Sequence, residues 1–192
     1  MKKLFFVVSI IILAGTALVY GGWFPAASVN GDWIWQRDMK KSAGAIMRLQ
    51  ETSSGAGLPS LTGTTTLSTL NASAIRRGAL EELIYEKIIA QELKLVDSSQ
   101  DWDERIARDT EGLFTGKDIS ALEKAARELY ALNLNDFKRL VLAPQIREEL
   151  LRKEIALRAK DPETWLENAF ANAKIKIYFL DYRWQDGKLI EK

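Results

Sequence analysis

Cysteine and histidine are both missing from this 192-residue chain. Their absence excludes Ser-His-Asp and Cys-His catalytic triads, because these mechanisms need an imidazole as the base. Zinc sites built from Cys and His are excluded because their ligands are missing. Iron–sulfur clusters and disulfide frameworks are excluded because both need cysteine sulfur. The chemistry that remains is that of carboxylate, lysine, serine or tyrosine side chains, or binding without chemistry.

A strong excess of charge of either sign is also lacking. Lys and Arg number 27 against 26 Asp and Glu, which gives a formal net charge of +1. Nucleic-acid-binding proteins concentrate an excess of Lys and Arg on one face, so this balance argues against a nucleic-acid partner. Hydrophobic residues make up 47% of the chain and charged residues 28%, proportions typical of a folded globular protein.

A long uncharged run stands near the N-terminus. Lys2 and Lys3 precede 21 residues that carry no charged side chain. A span of about 20 apolar residues crosses a bilayer, and the two lysines favour a cytoplasmic N-terminus with Trp23 at the far interface. We therefore predict a single-pass transmembrane anchor over residues 1–24. A cleaved signal peptide is the alternative, and either interpretation places residues 25–192 on the outer side of the membrane.

Hydrophobic periodicity predicts a mainly α-helical body after this segment. The predicted helices span residues 36–50, 72–95, 100–113, 119–131, 136–160 and 162–172. The strongest of them is 72–95. Its predicted apolar face consists of Ala79, Leu80, Leu83, Ile84, Ile88 and Leu95, with Ile89 and Leu93 beside it.

Other residues predict where this body is interrupted. Asn135 is a candidate N-cap for the helix 136–160, and Pro144 must kink or divide that helix because proline has no N–H to donate. Residues 52–69 contain 13 Ser, Thr or Gly and are expected to form a flexible loop.

Short strands are expected at both ends of the body. Residues 27–35 contain an Asn-Gly turn, and residues 174–184 place Ile175, Ile177 and Phe179 on one face of a strand. After a turn, Leu189-Ile190 is expected to fold back on this strand. We predict a small β element that pairs the N-terminal strand, about 27–34, with the C-terminal strand, about 174–184. Val29 would then lie in a strand beside Ile175, with the helix 79–95 at the centre.

Four segments resemble, in their order and spacing, one family of extracytoplasmic foldases. They are SVNGD at 28–32, ALEELIYEKIIAQELKL at 79–95, LNLNDFKRLVLAPQIREELLRKEI at 132–155 and NAKIKI at 172–177. The family is the SurA N-terminal domain-like chaperones, of the SurA, PrsA and PpiD type, and the resemblance covers about residues 27–180. It implies a helical chaperone domain that binds unfolded polypeptides.

The chain departs from this family in one respect. Family members usually carry a parvulin prolyl isomerase domain before the last helix and strand, and its active site uses histidines. Here the six residues 156–161 separate the long helix from Pro162, and the chain has no histidine. The resemblance therefore implies the chaperone domain without the isomerase.

Candidate functional residues follow from these interpretations. We expect Trp33, Trp35, Phe137 and Val141 to contribute apolar surface for unfolded clients. Lys2, Lys3 and Trp23 would belong to the membrane anchor. We assign no catalytic, cofactor-binding or metal-binding residue.

The carboxylates carry no assigned role at this point. The clusters at 81–82, 101–104 and 148–149 stand beside Arg and Lys on charged helix faces, so we expect them to be solvated surface. The spacing of the acidic residues at 97–104 does not match an EF-hand loop.

These observations predict a membrane-anchored, extracytoplasmic chaperone-like protein that binds unfolded secreted or membrane polypeptides without isomerase activity. Cleavage of the N-terminal segment would make it periplasmic or secreted. The alternative is a non-catalytic adaptor or structural subunit of a membrane protein complex. A third, weaker hypothesis is a carboxylate enzyme such as a glycosidase, which needs two carboxyl groups facing each other across a cleft.

Overall fold

A three-stranded antiparallel sheet joins the two ends of the described chain. The computed structural model describes residues 23–55, 71–158, 160–185 and 187–192. Strand β1 (Pro25–Val29) lies between β2 (Asp32–Trp35) and β3 (Ile175–Ile177). Val29 is the register partner of Ile175, which confirms the predicted pairing of the two ends.

The Asn-Gly turn between β1 and β2 is a structural junction. Asn30 and Gly31 both have positive φ, 51° and 99°, as a two-residue hairpin turn of this kind requires. Asn30 Oδ1 accepts a hydrogen bond from the Lys174 backbone N–H at 2.8 Å, just before β3. Its Nδ2 donates to Gln91 Oε1 at 2.8 Å. One side chain thus ties the hairpin to both β3 and the central helix.

Helices form the body, so the predicted mainly α fold is confirmed. They are α1 (Gln36–Gly55), α2 (Ala72–Val96), α3 (Trp102–Gly112), α4 (Ile119–Tyr130), the short α5 (Leu134–Phe137), α6 (Ala143–Leu157) and α7 (Pro162–Asn172). A π-helical segment, Lys138–Leu142, connects α5 to α6. Strands β4 (Tyr182–Gln185) and β5 (Lys188–Glu191) form a separate hairpin.

Helix α2 is the central element, as predicted, because it contributes to each of three buried clusters. Its Leu80, Ile84 and Ile88 pack with residues of the sheet and α1. Its Ile89 and Leu93 pack with α3, α6 and α7. Its Ile75 and Ala79 form the third cluster with α1.

The predicted apolar face of this helix was wrong at one residue. Leu95 is 75% exposed, whereas Leu93 is fully buried. The cause is a change of partner along the helix: the first half packs on the sheet, and the second half packs on helices that cover a different side. The buried face therefore rotates from Ile88 to Ile89 and Leu93, and it leaves Leu95 in water.

Two predicted boundaries also change. Helix α1 continues to Gly55, so the first four residues of the predicted loop 52–69 are helical and the rest lies outside the described residues. The predicted cap Asn135 was wrong, because Asn133 caps α5 and accepts a hydrogen bond from the Asp136 N–H at 2.8 Å. Asn133 is the N-cap because the helix starts at Leu134, two residues earlier than the apolar pattern predicts.

Pro144 divides the predicted long helix, which confirms that expectation. It lies in the first turn of α6, where a missing N–H is tolerated. The Ala143 N–H bonds to the Lys138 carbonyl, five residues earlier, and this widened turn defines the π-helical segment.

The predicted strand 174–184 is split in two. Tyr178 still donates its N–H to Ala26 O at 2.9 Å, but Phe179 then adopts a φ of 54° and turns the chain out of the sheet. Phe179 is 85% exposed and does not share a buried face with Ile175 and Ile177. The predicted return of Leu189-Ile190 is confirmed, since both residues pair with β4.

Candidate functional site

The candidate site is an open cavity between helices, which we name the helical groove. It lies between α1, α2, the end of α4, the π-helical segment and the start of α6, and its volume is about 390 Å³. Its apolar walls include Ala45, Ile46, Leu49, Tyr130, Leu140 and Val141. A volume of this size lies within the range of about 300–1,000 Å³ that ligand pockets have.

The groove exists because the neighbouring helices have different partners. α1 packs on α2 and α4, while α6 packs on α2 and α3. The widened π turn before Pro144 stands between these two groups of helices, and Leu140 and Val141 of this turn are half-buried rather than closed into a core. The apolar side chains on both sides of the gap therefore remain accessible.

Three glutamates face the groove from α2 and α6. Glu86 forms an ion pair with Arg147, whose side chain is largely shielded from water. Glu148 accepts a hydrogen bond from Arg152 Nε at 2.9 Å, and Arg152 also binds Glu163 of α7. Each of these two carboxylates therefore has a basic partner.

Glu82 differs from the other two glutamates. Among the described residues it makes no ion pair and no hydrogen bond through its carboxylate. Glu82 is an exposed residue, yet desolvation of its carboxyl group at the groove raises the pKa of this group, and the negative charge of Glu148 raises it further. The groove thus combines apolar walls with one carboxylate that lacks a counter-charge.

Tyr85 connects the groove to a second cavity. Its ring stacks on Phe170 of α7 with 5.0 Å between the ring centroids. Burial raises the pKa of its phenol, with a further contribution from Glu148. On its other side lies a cavity of about 540 Å³ that is also lined by Phe170, Trp184 and the Arg152–Glu163 pair.

The structure brings some of the predicted client-binding residues together. Val141 lines the groove. Phe137 stands behind it, with its ring 5.0 Å from that of Tyr130, which is itself a wall residue. Trp33 is 48% exposed and lines an adjoining cavity of about 200 Å³ that shares Glu82 and Leu140 with the groove. Trp35 lies apart from them, half-buried at the end of β2 opposite Pro25.

Of the predicted anchor residues, only Trp23 is described. It is 57% exposed, and the Arg37 guanidinium lies 4.5 Å from its ring centroid. Lys2, Lys3 and the rest of the predicted anchor up to residue 22 lie outside the described residues. In the described ranges, no helix is both long enough and apolar enough to cross a membrane.

The sequence did not indicate Glu82 and Glu148 as site residues. It placed them in two separate acidic pairs, 81–82 and 148–149, which were expected to be solvated surface. In the structure, Glu82 and Glu148 line the groove. Glu81 lies outside the groove lining and accepts a hydrogen bond from the Leu189 N–H at 2.8 Å. The like charges of Glu82 and Glu86, one turn apart on α2, were the available signal.

The other acidic cluster has structural roles. Asp101 caps α3 by accepting from the Glu104 N–H at 3.0 Å. Asp103 pairs with Lys94 and Glu104 with Arg108, both at exposed positions. Within the part of the chain that the structure describes, no three acidic side chains come close enough together to hold a metal ion.

Comparison with known proteins found no matching family model, no matching curated protein and no matching solved structure. The resemblance to the SurA N-terminal domain-like chaperones therefore rests on the sequence motifs. Two residues of those motifs, Asn30 and Gln91, contact each other in the structure.

Proposed function

We propose that this protein is a non-catalytic, chaperone-like module that binds apolar segments of unfolded polypeptides in the helical groove. The observation that carries the proposal is the accessible apolar lining of this groove, next to a body whose buried apolar residues pack mainly in three clusters. Soluble proteins rarely keep contiguous apolar surface open without a partner for it.

The walls of the groove suit side chains rather than a polar small molecule. Most of the lining residues are aliphatic or aromatic, with Leu49 on one side and Leu140 and Val141 on the other. Exposed Met47 and Leu129, at 43% each, extend the apolar surface of the two neighbouring helices α1 and α4. A few side chains of an extended segment fill a cavity of this volume, and such contacts need little sequence specificity.

The proposed location is the outer side of a membrane, with residues 1–24 as the anchor. Binding an unfolded segment lowers its free concentration and thereby slows aggregation, which is a mass-action effect that needs no ATP. An anchor would raise the local concentration of the groove near polypeptides that emerge from the membrane. The motifs that resemble those of the SurA-type family support the same function.

Suppression of aggregation tests the proposal with a matched pair of variants. Leu49→Asn places an amide in the groove, and Leu95→Asn makes the same change at a helical position that is 75% exposed and lies outside the groove. The full chain in lipid nanodiscs should slow aggregation of an unrelated unfolding enzyme at a few-fold molar excess. Leu49→Asn should raise the protein concentration needed for half-maximal suppression about tenfold, because the burial of one leucine side chain is lost. Leu95→Asn should suppress aggregation as well as the wild type does.

Two other results would redirect the assignment. If the wild-type chain fails to slow aggregation but captures one stoichiometric partner from its membrane, the adaptor hypothesis replaces the chaperone. If it slows aggregation and Leu49→Asn acts like Leu95→Asn, the function stands but the groove is not its site.

One observation favours a second candidate function. Glu82 and Glu148 lie in one groove. The pKa of Glu82 is raised, whereas Glu148 accepts a hydrogen bond from Arg152. Acid–base enzymes use two carboxyl groups whose surroundings differ in this way. Release of a chromogenic leaving group from a panel of aryl glycosides, abolished by both Glu82→Gln and Glu148→Gln, would establish this activity. No release by the wild-type chain would remove it.

A further inference from the structure

The charges around the helical groove do not balance. From α2 it receives Glu82 and Glu86, and from α6 it receives Glu148. Two arginines compensate Glu86 and Glu148, as described above, and Arg152 is shared with Glu163. The remaining charge is the carboxylate of Glu82, which faces apolar walls and a second carboxylate. Lys87, Arg139 and Arg147 line the adjoining cavity that Glu82 also borders, but Arg139 and Arg147 pair with other acidic side chains, and no ion pair in the described chain joins Glu82 to any of these three residues.

This unpaired charge affects which segment can bind. A purely apolar segment that fills the groove would remove water from the Glu82 carboxylate and supply nothing in exchange, and burial of an unpaired charge is unfavourable. A segment with an acidic side chain would add repulsion. A segment with a cationic side chain would supply the missing counter-charge, so the same carboxylate penalises two classes of ligand and favours the third.

We propose that the groove selects polypeptide segments in which a lysine or arginine stands among apolar residues, and that the basic head group pairs with Glu82 next to Glu148. This inference rests on the proposed function, because it specifies the ligand of the same groove. The aliphatic stem of Lys or Arg would contact wall residues such as Leu140 and Val141 while its head group reaches the carboxylates.

The chemistry of the groove favours such a segment over other cationic or amphipathic ligands. A metal ion is not the expected ligand, because Arg147 and Arg152 already pair with two of the three groove carboxylates, and in the described chain no three acidic side chains come close enough together to hold one. The negative charge of the groove carboxylates also repels the phosphates of lipid head groups and nucleic acids. A peptide side chain supplies both the apolar stem and the positive charge in one group.

Three fluorescent peptides of one apolar sequence test the inference. Their central residue is lysine, its uncharged isostere norleucine, or glutamate, and binding to the full chain in neutral-lipid nanodiscs is followed by fluorescence anisotropy. The lysine peptide should bind about fivefold tighter than the norleucine peptide, the ratio expected for one partly exposed ion pair. The glutamate peptide should bind most weakly.

Two variants on neighbouring elements complete the experiment. Glu82→Gln should reduce the lysine preference to less than about twofold and strengthen binding of the norleucine peptide, because it removes the unpaired charge. Glu149→Gln is the matched control: Glu149 is exposed, adjacent to Glu148 and outside the groove lining, so the preference should remain.

The outcomes separate this inference from the proposed function. Equal binding of all three peptides, unchanged by Glu82→Gln, would overturn the charge selection and leave polypeptide binding intact. No binding of any peptide would overturn both. A lysine preference that survives Glu82→Gln would also overturn the inference, because the preference would then come from other acidic side chains.

Discussion

Asn30 in the hairpin turn donates a hydrogen bond to Gln91 on α2, with 2.8 Å between Nδ2 and Oε1. Gln91 in turn donates from Nε2 to the Val29 carbonyl at 3.0 Å and to Asp32 Oδ2 at 2.9 Å. These bonds fix the hairpin on the central helix at the point where Lys174 leads into β3. The junction therefore uses both the "VNG" segment and the glutamine of the long helix.

Asn30→Gly should destabilise the protein by about 1–2 kcal/mol, because it removes two side-chain hydrogen bonds and keeps a residue that tolerates the positive φ. Urea unfolding measures this loss. The effect should fall to about half in a Gln91→Leu background, since one of the two bonds is then already missing and the bond to the Lys174 N–H remains to be lost. Fully additive losses would contradict the contact.

Glu86 and Arg147 join α2 to α6, and their side chains are only 23% and 14% exposed. Apart from this contact, the buried Arg147 Nη1 has no hydrogen-bond partner in the described chain, and burial lowers the pKa of the guanidinium. Glu86→Gln should therefore cost about 3 kcal/mol, since it leaves a buried cation unpaired.

The matched control breaks an exposed pair of the same residue types. Glu104 and Arg108 are 68% and 69% exposed, so Glu104→Gln should cost less than about 1 kcal/mol. Equal losses of unfolding free energy for the two variants would show that the Glu86–Arg147 pair is not shielded from water.

Glu82→Gln should stabilise the protein at neutral pH, although it reduces the preference of the groove for the lysine peptide. The folded-state pKa of Glu82 is raised, first by burial and then by Glu148, so the folded protein binds this proton more readily than the unfolded chain does. The resulting penalty is fully present above the folded pKa and absent below the unfolded value of about 4.3.

The stability gain should be less than about 1 kcal/mol at pH 7, because Glu82 is partly exposed, and it should vanish near pH 4. Thermal unfolding of the wild type and Glu82→Gln at a series of pH values measures it. A difference that grows as the pH falls would have the wrong sign for this account.

Ala131 follows the last residue of α4 and has a φ of 54°. This left-handed conformation is unfavourable for every residue with a Cβ atom, so glycine fits it better. Ala131→Gly should therefore stabilise the protein by about 0.5–1 kcal/mol. The same substitution at Ala126, which is buried within α4, should destabilise it by about 1 kcal/mol or more. Urea unfolding of both variants checks the opposite signs.

The sequence predicted those features that depend on local pattern. The partnership of Val29 and Ile175 followed from two short apolar alternations at the chain ends, and the long apolar stripe predicted α2 as the central helix. The division at Pro144 followed from the missing N–H. Each of these features depends on backbone chemistry or on a periodicity that a single segment displays.

Features set by tertiary packing could not be read in this way. Leu95 continues the apolar period but lies in water, because α2 changes its packing partners. Phe179 leaves the strand because the chain turns at a positive φ. Glu82 and Glu148 are distant in sequence, and only the packing of α2 on α6 brings them into one groove.

Photo-crosslinking is the most direct test of the helical groove as the polypeptide-binding site. A peptide with apolar residues, one lysine and a photoreactive phenylalanine analogue would be bound to the full chain in nanodiscs, irradiated and mapped by mass spectrometry. Crosslinks are expected on Leu49, Tyr130 and Val141, and they should be lost in Leu49→Asn. Crosslinks centred instead on exposed residues outside the groove, such as Leu95 and Leu157, would contradict this binding site.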